Sequence, residues 1–213
     1  MNQLADRRLE EREQRRNDIL DAAVTVTALG SLDGLTMDQV AKQARLSRAL
    51  LYVYFKDRDE LLFGLCERAL SIMQAQFEST IAAHSTGVAQ IAACGQAYVE
   101  FARQQPVYFE ALARFEAHSP DIACLQPNEG ACVLAGDRLH EVLIAAINRG
   151  IADGSIRQDV GSPVLVATTL WAFMHGVLQL AQTKANVLAH DGIVVDALIS
   201  QAITMATRAI ASR

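Results

Sequence analysis

The sequence has 213 residues, of which 51% are apolar and 20% charged, with 12 glycines and 4 prolines. This composition excludes collagen-like and Pro/Gly-rich disordered chains, and the length is enough for a hydrophobic core without disulfides or metals. The net charge is −5, yet residues 36–58 hold five basic and only two acidic side chains. A locally basic segment on an acidic body is typical of a small anion-binding module.

The N-terminus and the cysteines predict a cytoplasmic protein. The segment before residue 17 is too charged for a signal peptide, and no apolar run approaches the roughly 18–20 residues of a membrane helix. Four cysteines form no CxxC pair, so we expect reduced thiols: Cys66, Cys94, Cys124 and Cys132. We therefore expect no contact with a membrane.

Apolar residues recur with helical spacing from one end of the chain to the other, which predicts an all-α fold of about nine helices. The first predicted helix covers 17–29 and stops at Gly30. Two short helices follow, with Thr36 and Ser47 as N-caps, and Gln39 completes a capping box with Thr36. The remaining predicted helices cover 57–83, 87–105, 106–118, 128–151, 163–187 and 192–211.

The two short helices, separated by Arg45, Leu46 and Ser47, have the layout of a helix-turn-helix. The arm before the first predicted helix, residues 5–16, alternates in charge. Its arginines can reach a phosphate or a minor groove, or the arm can be a solvated helical extension with internal salt bridges. We favour the extension, because acidic residues dilute the positive charge.

Residues 30–62, GSLDGLTMDQVAKQARLSRALLYVYFKDRDELL, resemble the DNA-binding half of the TetR/AcrR family of transcriptional regulators. Seven residues stand in register with the family pattern: Leu51, Tyr52, Tyr54, Phe55, Lys56, Leu61 and Leu62. The resemblance implies a three-helix DNA-binding domain over residues 1–58, which includes the arm. It also implies a helical ligand-binding and dimerisation domain over residues 59–213.

The resemblance assigns the DNA contacts to the second short helix and its surroundings. Arg48 is the candidate for base reading, since a guanidinium can bind guanine bidentately. The full set of predicted DNA-binding residues is Thr36, Arg45, Ser47, Arg48, Ala49, Leu50, Tyr52 and Lys56. The chain departs from the family at three positions: Arg45 replaces a turn glycine, Leu50 a small polar residue and Val53 a histidine. Leu50 could contact a thymine methyl group instead.

Residues 148–181 also resemble the family, through a helix ending in GxxxGxxR and a long apolar helix after it. The resemblance implies that the last two predicted helices form a four-helix dimer interface, and their apolar faces agree. The predicted interface residues are Val166, Leu170, Phe173, Val177, Leu198, Ala202, Ile203 and Ala206. A homodimer would read two half-sites of a double-stranded DNA operator.

A small-molecule effector is expected among the middle helices, in an apolar pocket with a few polar groups. The candidate ligand-binding residues are Tyr98, Phe101, Phe109, Phe115, His118, Trp171, Met174 and His175. For each of them ordinary core packing is the competing interpretation. The absence of a charge cluster in residues 87–118 favours a largely apolar effector.

No motif in the sequence indicates an enzyme or a cofactor. Nucleophile-elbow, dinucleotide-binding, phosphate-loop and zinc-protease patterns are missing, and Asp137, His140 and Glu141 have no second cluster to complete a metal site. The sequence therefore predicts a ligand-responsive repressor that an effector releases from a palindromic operator, with no cofactor and no metal. The alternatives are a helical partner-binding or structural protein that does not bind DNA, and an all-α enzyme with an unrecognised site.

Overall fold

The computed structural model describes residues 3–212 and contains ten helices within them. They are α1 (Gln3–Ala28), α2 (Met37–Gln43), α3 (Arg48–Tyr54), α4 (Arg58–Ala82), α5 (Gly87–Gln104), α6 (Pro106–Glu116), α7 (Pro127–Asp153), α8 (Pro163–Thr183), α9 (Ala185–His190) and α10 (Val195–Ile210). The all-α prediction is confirmed. The count exceeds nine because the predicted helix 163–187 is interrupted at Lys184, whose backbone lies outside the helical region (φ −122°, ψ 21°).

Helix α1 is longer than predicted, because the charged arm continues the helix instead of preceding it. The arm is exposed, and it carries an Arg7–Glu11 salt bridge of 3.0 Å one helical turn apart. Arg15 and Asp18 form a second pair at 4.0 Å. These are the features of a solvated helical extension, the interpretation favoured above.

The chain divides into two compact units. Unit 1 contains the chain up to Ala69 and Val107–Val133, and unit 2 contains Leu70–Pro106 and the chain from Leu134 onward. Within unit 1, α1 packs on α2 and α2 packs on α3. The side chains of Leu20, Leu51 and Phe55 are completely buried there. The division of function predicted at residue 58 remains a prediction.

Arg58 holds the loop between α1 and α2 in place. Its guanidinium donates to the carbonyl oxygens of Leu35 (3.0 Å) and Leu32 (2.6 Å). Since these carbonyls belong to the chain that leads into α2, Arg58 fixes the start of the helix-turn-helix. This arginine therefore has a structural task, although it contributes to the positive charge of residues 36–58.

In unit 2, α5 and α7 approach each other closely at two glycines. A Cβ atom added to Gly87 would lie 2.2 Å from the backbone nitrogen of Gly150, so α5 cannot carry a side chain there without moving. Gly154 follows α7 with φ +76°, a left-handed conformation that glycine adopts without strain. Helix α10 packs against both α5 and α8.

The expectation that no apolar stretch reaches membrane-spanning length is wrong for α8. It has 21 residues, and its most apolar window has a mean hydropathy of 1.6, with 33% of that window buried. By length and composition alone it could cross a membrane, a test that the core helix of a water-soluble protein also passes. The large apolar side chains that α8 exposes are Val164, Leu165, Phe173 and Leu180.

Candidate nucleic-acid interface and effector cavity

The helix-turn-helix begins with two side-chain caps. The Thr36 hydroxyl accepts a hydrogen bond from the backbone N–H of Gln39 (3.3 Å), while the Gln39 side chain accepts one from the N–H of Thr36 (2.9 Å). The Ser47 hydroxyl accepts a hydrogen bond from the N–H of Leu50 (3.2 Å). Both predicted caps are confirmed, and together they fix where α2 and α3 start.

The turn between α2 and α3 depends on Arg45. Its φ is +55°, and it is the one described non-glycine residue with positive φ. A glycine would adopt this left-handed conformation without steric cost, and an L-residue with a Cβ pays for it. Arg45 therefore takes the backbone conformation that the family's turn glycine provides.

Helix α3 buries Leu51, half-buries Tyr54 and exposes its other five side chains. Arg48 is exposed, and its Nε lies 2.7 Å from a carboxylate oxygen of Asp38 in α2. A hydrogen bond with Tyr52, together with the charge of Asp38, raises the pKa of Arg48 above its usual value. The side chain of Arg48, the predicted base-reading residue, is therefore held by Asp38 of α2 and Tyr52 of α3.

Three further cations surround α3. Lys42, Arg45 and Lys56 are exposed, and none of them forms an ion pair with another part of the chain that the structure describes. Arg16, by contrast, is used inside unit 1, where it lies 5.6 Å from the centroid of the Phe55 ring and 3.2 Å from Glu67. Lys42, Arg45 and Lys56 therefore add positive charge in α2, in the turn and directly after α3.

A small apolar cavity of about 40 Å³ lies within unit 2. It is lined by Phe77, Ile91, Ala92, Cys94, Gly95, Tyr98, Leu143, Leu170, Trp171, Met174, Ile203, Ala206 and Thr207. Tyr98 and Trp171 stack with their ring centroids 5.0 Å apart, and the Tyr98 hydroxyl hydrogen-bonds Nδ1 of His175 at 2.7 Å. The structure thus brings four of the predicted ligand-binding residues together: Tyr98, Trp171, Met174 and His175.

The other four candidates lie elsewhere. Phe101 and Phe109 are completely buried core residues of unit 2 and unit 1, respectively, and they do not line this cavity. Phe115 and His118 line a separate, more polar cavity of about 390 Å³ within unit 1. There His118 Nε2 lies 2.7 Å from a carboxylate oxygen of Glu129, and this hydrogen bond lowers the pKa of Glu129.

The residues predicted for the dimer interface differ in how deeply they are buried. Leu170, Ile203 and Ala206 line the apolar cavity, and Ala202 is buried. Val166, Val177 and Leu198 are half-buried, and Phe173 is exposed. The large exposed apolar side chains of these helices include, besides Phe173, Leu165, Leu180 and Met205. Leu165 is not among the predicted interface residues, because α8 contains no charged residue that would mark its exposed side in the sequence.

The described residues contain no group of three or more His, Cys, Asp or Glu side chains that could hold a metal ion. Cys66, Cys94 and Cys132 are buried, and Cys124 is exposed. Burial raises the pKa of the Cys94 thiol to about 12, and burial next to Cys132 also raises that of Cys66. Buried thiols of high pKa react slowly, because the thiolate is the nucleophile.

A capped helix-turn-helix with an exposed second helix, free cations around it and a separate helical unit with an apolar cavity define a DNA-binding regulator with a sensor domain. The family model for bacterial regulatory proteins of the tetR family matches residues 19–65, and the model for a tetracyclin repressor-like C-terminal domain matches residues 91–206. The chain belongs to the TetR family and is a ligand-responsive, DNA-binding transcriptional regulator.

Solved structures agree with this fold. A protein of unknown function from Rhodococcus sp. RHA1 is 26% identical, with a TM-score of 0.73 over 93% of this chain and 95% of that one. A TetR family transcription regulator from Marinobacter aquaeolei VT8 is 20% identical, with a TM-score of 0.65 over 96% and 99% of the two chains. FadR from Bacillus subtilis, in complex with stearoyl-CoA, is 16% identical, with a TM-score of 0.69 over 91% and 98%. No curated protein matches the sequence.

Proposed function

We propose that this chain is a cytoplasmic, non-enzymatic repressor that binds a palindromic operator as a homodimer, and that a small apolar effector releases it. Residues 1–58 would bind DNA, and residues 59–213 would bind the effector and a second protomer. No step requires a membrane, a metal or a cofactor. The observation that carries the proposal is the exposed face of α3, which carries Arg48 and is bordered by cations that form no ion pair among the described residues.

The first experiment is selection of bound duplexes from a random DNA pool by the purified protein at about 150 mM salt, where non-specific phosphate contacts are weakened. Enrichment of an inverted repeat supports a dimer that reads two half-sites. If no sequence is enriched, even at low salt, the proposal fails, and a helical partner-binding protein without DNA binding becomes the better interpretation.

Arg48→Ala tests which residue reads a base. We expect this variant to lose discrimination at one base pair of each half-site, by about 1–3 kcal/mol, because a bidentate base contact is lost. Lys42→Ala is the control: it should weaken binding to all sequences evenly and reduce the slope of log K against log salt by about 1. Uniform weakening by Arg48→Ala would contradict its role in base reading.

The effector site is proposed at the apolar cavity of unit 2. A cavity of about 40 Å³ is well below the roughly 300–1,000 Å³ of a typical ligand pocket, so the effector would have to displace side chains on entry. Trp171 is only half-buried and forms part of the wall. The effector would release DNA only if it binds the non-operator conformation more tightly. The acyl chain that FadR binds is one example of a suitably apolar group.

Trp171 is the single tryptophan of the chain, so its fluorescence reports on this cavity directly. We expect alkyl carboxylates of increasing length to change that fluorescence and to weaken operator binding at the same concentrations. Ala206→Val should reduce their affinity, because it fills the cavity. Ala209→Val places the same change on an exposed position of α10 and should not. Equal effects of the two variants would exclude this cavity as the effector site.

A further inference from the structure

The outermost surface of α3 is apolar. Ala49 and Val53 each lie two residues from the buried Leu51, which places them about 200° around the helix from it at 3.6 residues per turn. They lie one above the other, four residues apart. Val53 is 68% exposed, and Leu50, beside this line, is 38% exposed. The part of α3 that would reach deepest into a groove therefore presents methyl groups.

The hydrogen-bonding groups of the exposed face lie on one flank of that line. They belong to Arg48 and Tyr52, and both are already engaged, Arg48 with Asp38 at 2.7 Å and with Tyr52 itself. Neither Ala49 nor Val53 can donate or accept a side-chain hydrogen bond. Direct readout by the centre of α3 must therefore use apolar contacts.

In the major groove, thymine is the only unmodified base whose edge carries a methyl group, at its C5 atom. We propose that α3 selects its half-site by packing Val53, Ala49 and Leu50 against thymine methyl groups, while Arg48 reads at one flank. Lys42 in α2, Arg45 in the turn and Lys56 directly after α3 are exposed and form no ion pair within residues 3–212. These cations favour a polyanion as the occupant of this surface. This inference rests on the proposed function and specifies the sequence class of the operator: half-sites with thymine opposite the centre of α3.

The test replaces thymine by deoxyuridine, which removes the methyl group and leaves base pairing intact. The operator comes from the selection described above, and each half-site thymine is replaced in turn, symmetrically in both half-sites. One buried methyl group contributes about 0.8 kcal/mol, so we expect roughly fourfold weaker binding per contact and about fifteenfold for the symmetric pair. Thymines outside the half-sites serve as the DNA control and should tolerate the replacement.

Two protein variants assign the effect to the apolar line. Val53→Ala should weaken binding to the thymine operator and should no longer respond to deoxyuridine at the thymine that Val53 contacts. Arg48→Ala should weaken binding as well, yet keep the full response to deoxyuridine. Because both side chains are exposed, the helical content and the melting temperature of the variants should match those of the unchanged protein.

The outcomes separate this inference from the function on which it rests. If the protein selects an operator but every half-site deoxyuridine changes affinity by less than twofold, methyl readout is wrong and the regulator assignment stands. An equal deoxyuridine response in Val53→Ala and the unchanged protein also overturns it. If no operator is selected at all, the proposed function itself fails.

Discussion

The backbone conformation of Arg45 shapes the turn between α2 and α3. Resemblance to the family marked this position as a departure, because a turn glycine is replaced by arginine. The structure keeps the left-handed turn (φ +55°) and places an exposed cation there. Such a conformation costs an L-residue about 1–2 kcal/mol. The backbone of Arg45 is therefore strained at the position where its positive charge lies next to the recognition helix.

Arg45→Gly should therefore stabilise the protein. We expect a gain of about 0.5–1 kcal/mol in the free energy of unfolding, the relieved strain less the extra chain entropy of glycine. Arg45→Ala removes the same charge but keeps a Cβ, so it should give no such gain. Urea unfolding at constant m-value measures both. Equal stability of the two variants would show that the turn is not strained.

Single residues were predictable from the sequence where the interaction is local. The caps at Thr36 and Ser47 were found because the bonded groups lie three residues apart. The Arg48–Asp38 pair was not found, since it depends on how α3 crosses α2. For the same reason no pattern distinguished Phe101, a core residue, from Tyr98, which lines a cavity.

The presence of each helix was easier to predict from the sequence than the residues at which the helix begins and ends. The helix predicted over 163–187 breaks at Lys184 because the backbone leaves the helical region there, and no glycine or proline marks the break. The start of α5 depends on a distant residue: Asp153 at the end of α7 accepts hydrogen bonds from the N–H groups of Gly87 and Ser155, each at 2.8 Å. Local sequence cannot reveal a cap from 66 residues away.

This cap predicts a pH dependence of stability. Hydrogen bonds from the Ser155 hydroxyl and from the Gly87 backbone lower the pKa of Asp153. A carboxylate with a lowered pKa in the folded state stabilises the fold fully above its unfolded pKa, and this stabilisation disappears as the pH falls through the folded value. We therefore expect Asp153→Asn to be less stable at pH 7 and the difference to shrink progressively below about pH 5.

Thermal melts between pH 7 and pH 3 measure that difference. The control is Asp191→Asn, which removes an exposed carboxylate of the same unit. A gap between the unchanged protein and Asp153→Asn that stays constant with pH would show that the charge of Asp153 does not support the start of α5.

For the whole molecule, the sequence predicted the DNA-binding half better than the sensor half. The helix-turn-helix must fit B-form DNA, so its residue types and spacing are constrained and can be recognised. A ligand cavity has no such fixed partner, and the lining of the proposed effector cavity comes from α4, α5, α7, α8 and α10, which only folding brings together. The cavity residues Tyr98 and Trp171 were predictable as aromatic candidates, whereas Gly95 and Thr207 carried no signal.

The exposed face of α8 gives the last prediction. Leu165 and Phe173 are exposed there, 68% and 38% respectively, and an added Cβ on Gly176 would meet nothing within 4 Å. Contiguous apolar surface of this kind marks an interface, and small residues let two copies of the helix approach closely. If this face joins two protomers, placing charges on it should separate them, because a carboxylate buried without a partner is costly.

We expect the double variant Leu165→Glu/Phe173→Glu to sediment as a folded monomer. Its operator affinity should fall about 100-fold or more, since linking two half-site contacts gains roughly 10²–10⁴ in avidity. Ile122→Glu puts the same charge on an exposed apolar residue of unit 1 and should leave the dimer intact. A double variant that remains dimeric would place the interface on another face, and the paired recognition helices would then need a different two-fold axis.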